Sequence, residues 1–209
     1  MIDTIRIVYH DARLLVVDKP SGLLAVPGRG DDKQDCAAAR VQVRFPAATI
    51  VHRIDRDTSG LLLMALDAEA HRALGRQFEA RTVEKRYEAI VAGRMRDDEG
   101  LIDLPLRKDF DRPPRHCVDP VHGRPSQTRW RIVACAADRT RVRLEPLTGR
   151  SHQIRIHLAA LGHPILGDPL YADERVQALA PRLLLHAAAL SVAHPDDGRR
   201  ASFDSPVPF

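Results

Sequence analysis

In "VHRIDRDTSGLLLMA", residues 51–65, the carboxylate of Asp55 stands between Arg53 and Arg56, immediately ahead of an apolar run. Two readings compete for it. Asp, Thr, Ser and Gly are the residues that tight turns favour, because their side chains bond the local backbone or permit positive φ, so "DRDTSG" can simply reverse the chain. Alternatively, the carboxylate is kept ionised by its cationic neighbours, since an opposite charge within a few ångströms favours the charged form. Such a group can act as a nucleophile or accept a proton. Taken alone, the stretch favours the turn.

Other reactive residue types are scattered. The 10 histidines form no H-E-x-x-H and no Cys/His cluster with metal-site spacing, which puts structural or surface roles ahead of ligation. No metal is expected. Cys36, Cys117 and Cys135 stand far apart, in no C-x-x-C pair, and their odd count gives no disulfide framework. They read as reduced, mostly buried small hydrophobes.

Positioning any of these groups requires a core. A chain of 209 residues, 44% hydrophobic and 29% charged, is within the range of one large domain or two small lobes of an ordinary soluble protein. The apolar run "RLLLHAAALSVAHP" is interrupted by His186 and too short to span a bilayer, and the N-terminus lacks the long apolar core of a signal peptide. A cytoplasmic protein without membrane association is expected. The net charge of +4 and pI near 9.2 are mild. Locally, residues 107–131 carry seven Arg or Lys (Arg107, Lys108, Arg112, Arg115, Arg124, Arg129, Arg131) against three Asp. Such a segment attracts a polyphosphate, or is simply a solvated loop.

The elements follow from pattern. "IRIVYHDARLLVVDKPSGLLAVP" reads as a hairpin-like pair of strands around turn residues. "CAAARVQVRF" predicts a short helix stopped by Pro46, and "TSGLLLMALD" a buried strand. Asp67 suits an N-cap for "AEAHRALGRQFEAR", where Ala70, Leu74 and Phe78 recur at four-residue spacing. "KRYEAIVAG" is a strand ended by Gly93, and "QTRWRIVACA" with "RTRVRLEPL" a hairpin across Ala137 and Asp138. In "GRSHQIRIHLAALGHP", Ser151 is the expected cap, Ile154, Leu158 and Leu161 the apolar face, and Gly162 and Pro164 the stop. "RLLLHAAALSVAHP" and "ASFDSPV" finish as strands. With no repeat, linker or boundary, the expectation is one α+β domain over residues 1–209, on a mixed, mostly antiparallel sheet with flanking helices.

Four ordered segments then resemble one family. "HRIDRDTSGLLLMA" is similar to the H-R-L-D-R-x-T-S-G-L-L signature of the RluA-type pseudouridine synthases, with Ile54 a conservative departure. "VVDKPSGLLAVP" resembles the family's D-K-P-x-G-L segment, "EKRYEAIVAG" its K-x-Y-x-A-x-V-x-G strand, and "PLTGRSHQIRIHLAALGHPILGDPLY" its G-R-x-H-Q-I-R-x-H…G-x-P-I-x-G-D-x-x-Y block. The set runs from residue 16 to residue 171. It implies the pseudouridine synthase catalytic fold, with sheet, helices and loops around a central RNA-binding cleft. The chain starts directly with catalytic-domain sequence and shows no S4-like RNA-binding domain, as in the family's short members. That closeness implies two substrate classes, transfer RNA anticodon stem-loops and a large-subunit (23S) ribosomal RNA hairpin, and a monomer is expected.

The resemblance also assigns residues. Asp55 falls at the family's catalytic position, as nucleophile toward C1′ or C6 or as base toward a ribose proton, and no cofactor is implied. Arg155 matches the arginine that pairs with that aspartate, and a bidentate guanidinium would hold it ionised. Tyr87 matches the active-site tyrosine; its ring can stack under uracil and its hydroxyl relay a proton, although a core-packed strand tyrosine is the plainer reading. Arg53 occupies the position of the residue that enters the space a flipped uridine vacates, its planar cation suited to stacking. Leu185 is assigned as an apolar wall near the base, and is equally a buried strand leucine. Lys19, Arg56, Arg150, His152 and Gln153 complete the expected substrate-binding set. A binding module that lost its chemistry, and an N-glycosidase using Asp55 against C1′ with water as acceptor, are the rivals; each explains one motif where the family explains four.

Overall fold

The computed structural model describes residues 5–209, apart from the side chain of Asp32. The chain forms two compact units: residues up to Lys85 with His186–Pro208, and Arg86–Leu185 with Phe209. Sequence shows no boundary at Lys85–Arg86 or at Leu185–His186 because at both places the chain changes unit within the first residues of a strand, without a linker.

The first unit opens with β1 (Arg6–His10) and β2 (Leu14–Lys19), an antiparallel pair. Asp11 makes the reversal: its Oδ1 accepts from the backbone N–H of Arg13 at 2.7 Å and of Leu14 at 2.9 Å. Next come α1 (Ala37–Gln42), β3 (Thr49–Ile50), β4 (Ser59–Ala65) and α2 (Ala68–Glu79). Every residue of β4 is buried, and the period of two explains why. Leu61, Leu63 and Ala65 pack with Ala70 and Leu74 of α2, whereas Leu62 and Met64 pack with Ala37, Ala38 and Val41 of α1. A strand covered on both faces must be apolar throughout. Asp67 caps α2, accepting from Glu69 N at 2.8 Å and Ala70 N at 2.9 Å.

The second unit contains β5 (Glu84–Ala92), β6 (Glu99–Asp103), β7 (Leu106–Lys108), β8 (His116–Val118), β9 (Gln127–Cys135), β10 (Arg139–Pro146), α3 (Gln153–Ala160) and α4 (Glu174–Gln177). Four strands form an antiparallel sheet in the order β5-β10-β9-β6, and β7 and β8 make a separate hairpin. Ala89, Val91, Val142 and Leu144 meet Ile154 and Leu158 of α3 in its core. The β9–β10 hairpin and the end of β5 at Gly93 (φ +77°) agree with the sequence reading. The start of α3 does not. His152, in left-handed conformation at φ +57°, is the N-cap in place of Ser151, and makes no side-chain capping bond. Leu161 is the C-cap and 41% exposed, so the apolar face ends at Leu158.

The chain then returns to the first unit through β11 (Leu185–Ala193) and β12 (Arg200–Asp204). β11 runs parallel to β4, pairing His186 with Ser59 and Ala187 with Gly60, and β12 is antiparallel to β11. Gly60 has φ +111°, and a Cβ there would lie 2.3 Å from the carbonyl oxygen of Ala187. Only glycine permits both that conformation and that approach. The architecture is α+β on mixed, mostly antiparallel sheet. Of the three free cysteines only Cys36 is buried; Cys117 is half-buried and Cys135 exposed. Among the described residues no helix is long and apolar enough to cross a membrane.

Candidate active site

On the first unit the loop ahead of β4 alternates sharply. Arg53 and Arg56 are exposed, Asp55 is half-buried, and Ile54 between them is 7% exposed. The apolar side chain thus anchors the loop while its charged neighbours face outward. The peptides just after Asp55 are held from β2 and the turn that follows it. Lys19, fully buried, donates from Nζ to the carbonyl oxygens of Leu23 (2.7 Å), Pro20 (2.8 Å) and Arg56 (2.8 Å). Gly22 N–H donates to the same Arg56 carbonyl at 2.9 Å, and Ser21 Oγ to the Asp57 carbonyl at 2.6 Å. The "DKPSGL" segment is therefore a clamp on the "DRD" loop. Lys19, expected above to bind substrate, is buried here and its ammonium is bonded to three carbonyls of this loop and turn.

The rest of the loop is equally tied down. Arg56 Nε pairs with Asp57 Oδ1 at 2.9 Å. Ser59 Oγ lies 2.8 Å from His186 Nδ1, whose Nε2 lies 3.1 Å from Ser205 Oγ, which donates to Asp18 Oδ2 at 2.7 Å. His52, ahead of the loop, stacks on Phe78 at 4.6 Å and accepts from Leu63 N–H at 3.0 Å through Nε2. Burial, reinforced by the charge of Lys85, pushes its imidazole down to about 3. Acceptance through Nε2 requires the same neutral ring.

On the second unit Arg155 is 2% exposed, far from the surface arginine that an amphipathic helix suggests. Its Nε and Nη2 donate to Asp168 Oδ2 and Oδ1 at 2.8 and 2.6 Å, a bidentate buried pair. Asp168 is also held by the N–H groups of Leu170 (2.8 Å) and Tyr171 (3.1 Å). The Tyr171 ring lies 5.1 Å from the Arg155 guanidinium and 5.2 Å from that of Arg115. Its hydroxyl is 2.6 Å from His152 Nδ1 and accepts from His116 N–H at 2.9 Å. Sequence reasoning singled out neither Asp168 nor Tyr171, although both stand in the quoted "GDPLY" block.

Gln153, also expected to bind substrate, is bonded within the protein. Its Oε1 accepts from Thr148 Oγ1 (2.7 Å) and Arg150 N–H (3.0 Å), and its Nε2 donates to Gln127 O and Thr128 Oγ1, both at 2.9 Å. All four bonds open to an amide are made within the protein, so this residue fixes the turn into α3. Arg150 is half-buried, and its backbone is held by that bond. Leu185 is 3% exposed and belongs to the second unit's core, which favours the strand-leucine reading. Tyr87 sits half-buried on β5, opposite Leu144, against the same core.

Residues 13–160 match the family model described as RNA pseudouridylate synthase. The dual-specificity RNA pseudouridine synthase RluA of Escherichia coli (strain K12) is 48% identical over 204 residues, 97% of this chain and 93% of that protein. Its namesake from Yersinia pestis is 46% identical over 97% of this chain and 99% of that protein. Among solved structures, human RNA pseudouridylate synthase domain containing 1 superposes with a TM-score of 0.84 at 29% identity, covering 100% of this chain and 86% of that one.

Proposed function

The chain belongs to the RNA pseudouridylate synthase family, and from that premise we propose that it isomerises one uridine to pseudouridine in transfer RNA anticodon stem-loops and in a large-subunit ribosomal RNA hairpin. The reaction breaks the N1–C1′ bond and forms C5–C1′, while a proton leaves C5 and N1 gains one. The balance is internal, so no oxidant, reductant or cofactor is assigned.

The observation that carries this reading is the "HRIDRDTSG" loop, whose carboxylate Asp55 is half-exposed while the peptides behind it are clamped by Lys19, Ser21 and Gly22. A pre-positioned reactive group avoids ordering costs when the substrate arrives. Asp55 is the reacting carboxylate, toward C1′, C6 or a ribose proton. Arg53, exposed two residues earlier, enters the space left by the flipped uridine; unstacking costs roughly a few kcal/mol, and a planar cation recovers part of it. Tyr87, Arg155, Arg56, His152 and Arg150 keep the substrate and supporting roles that the motif resemblance assigns them. The two substrate classes are those that the motif resemblance implies, and the name of the dual-specificity relatives is consistent with there being two. The protein acts as a monomer in the cytoplasm.

The deciding experiment offers purified protein short synthetic hairpins of both kinds and maps pseudouridine by mass spectrometry. One loop uridine in each should convert, and a hairpin with that uridine locked in a long duplex should not. Free uracil among the products would identify an N-glycosidase instead. If only assembled ribosomal subunits react, the dual assignment fails.

A further inference from the structure

We propose that Phe110, at the tip of the β7–β8 hairpin, is a base-stacking residue for the RNA substrate, an inference that rests on the activity proposed above. Of the nine Phe, Tyr and Trp side chains, only Tyr9 (40%) and Phe110 (72%) are exposed. Tyr9 is accounted for: its ring packs on Phe203 at 5.1 Å and its hydroxyl donates to Asp11 at 2.8 Å. The groups over the Phe110 ring are cations, Arg107 at 5.8 Å and Lys108 at 5.9 Å from its centroid. Leaving a phenylalanine in water forgoes the free energy of burying its ring.

The ring is held out on a structured turn. Asp109, 5% exposed, accepts from the N–H groups of Asp111 and Arg112, both at 3.2 Å, and from Arg112 Nε at 3.0 Å. Its own N–H donates to Arg115 O at 3.0 Å. A preorganised aromatic loses little entropy when a partner covers it. Chemistry then selects the partner. An apolar protein surface laid on this ring would desolvate the cations beside it, which is costly. A nucleotide offers a π-face to the ring and a phosphate to the cations, the combination by which proteins hold single-stranded RNA. Arg107 and Arg112 are committed to Asp119 and Asp109, whereas Lys108 enters no ion pair among the described residues and is the cation available to a phosphate.

The hairpin is also referenced to the helix that carries Arg155. His116, first residue of β8, donates through its N–H to the Tyr171 hydroxyl, which lies 2.6 Å from His152 Nδ1 at the start of α3. A base stacked on Phe110 therefore sits at a fixed distance from α3.

The test uses the two synthetic hairpins with F110A, F110L and F110W. Loss of one stacked base corresponds to about 1–3 kcal/mol, or roughly 5- to 150-fold in Kd. F110A and F110L should both show it with kcat nearly unchanged, and F110W should bind like wild type. In a scan of abasic substitutions, one loop position should weaken the wild type by a similar factor, and F110A should add nothing there. F110L binding like wild type, or an F110A defect undiminished at every abasic position, overturns the proposal. Unaltered Kd for F110A while pseudouridine still forms overturns it alone; absence of pseudouridine in wild-type reactions overturns the proposed function.

Discussion

The buried ammonium of Lys19 donates to the carbonyl oxygen of Arg56, the residue after Asp55, at 2.8 Å. The lysine thus acts on the loop through its backbone, and the side chains of Arg53 and Arg56 are exposed. Lys19→Met should strand three carbonyls and destabilise the protein by about 2–5 kcal/mol. The salt dependence of hairpin binding separates this from phosphate contact: its log–log slope should be unchanged, whereas a lost single-strand phosphate contact lowers it by about 0.7. Urea melts and filter binding across salt check both.

Asp55→Asn should lower turnover by at least about 10²–10⁴-fold, the scale of a lost proton-transfer or nucleophilic group. Folding and hairpin affinity should hold, because Asp55 is half-exposed and Asn fills the same volume. Substantial turnover by the folded variant, shown by mass to be free of deamidated protein, would remove Asp55 from the chemistry.

Arg155 and Asp168 should behave as a coupled buried pair. Arg155→Ala or Asp168→Ala leaves an uncompensated buried charge and should each cost about 3–5 kcal/mol. The double variant should be less destabilised than the sum of the two, the signature of direct coupling. Additive losses in denaturant titrations would contradict the bidentate geometry.

His52 predicts an acid limit to stability. Its folded imidazole titrates at about 3 and an unfolded histidine near ~6.5. Between those values the unfolded chain binds more protons, so stability is full above the upper value and falls as pH drops toward the lower. Thermal midpoints measured from about pH 7.5 down to about pH 4.5 should decline, and His52→Gln, which cannot titrate, should flatten part of that decline. Parallel curves for both proteins would assign the acid sensitivity elsewhere.

Local chemistry was legible without the fold. The turn residues around Asp55, the continuous apolar run of β4, Asp67 as a cap and the hairpin at Ala137 and Asp138 are dictated by neighbours within a few residues, where φ, side-chain period and short-range hydrogen bonds operate. The ordered motifs carried the family for the same reason. What sequence could not decide was which polar groups are consumed inside the protein. Lys19 meets Arg56 across 37 residues, Arg155 meets Asp168 across 13, and Ser59 meets His186 across 127. Gln153 looks like an RNA-facing amide until all four of its bonds are found to be made. A buried polar group must find partners wherever packing brings them, and only the tertiary structure shows Lys19 and Gln153 bonded to the segments that carry Asp55 and Arg155.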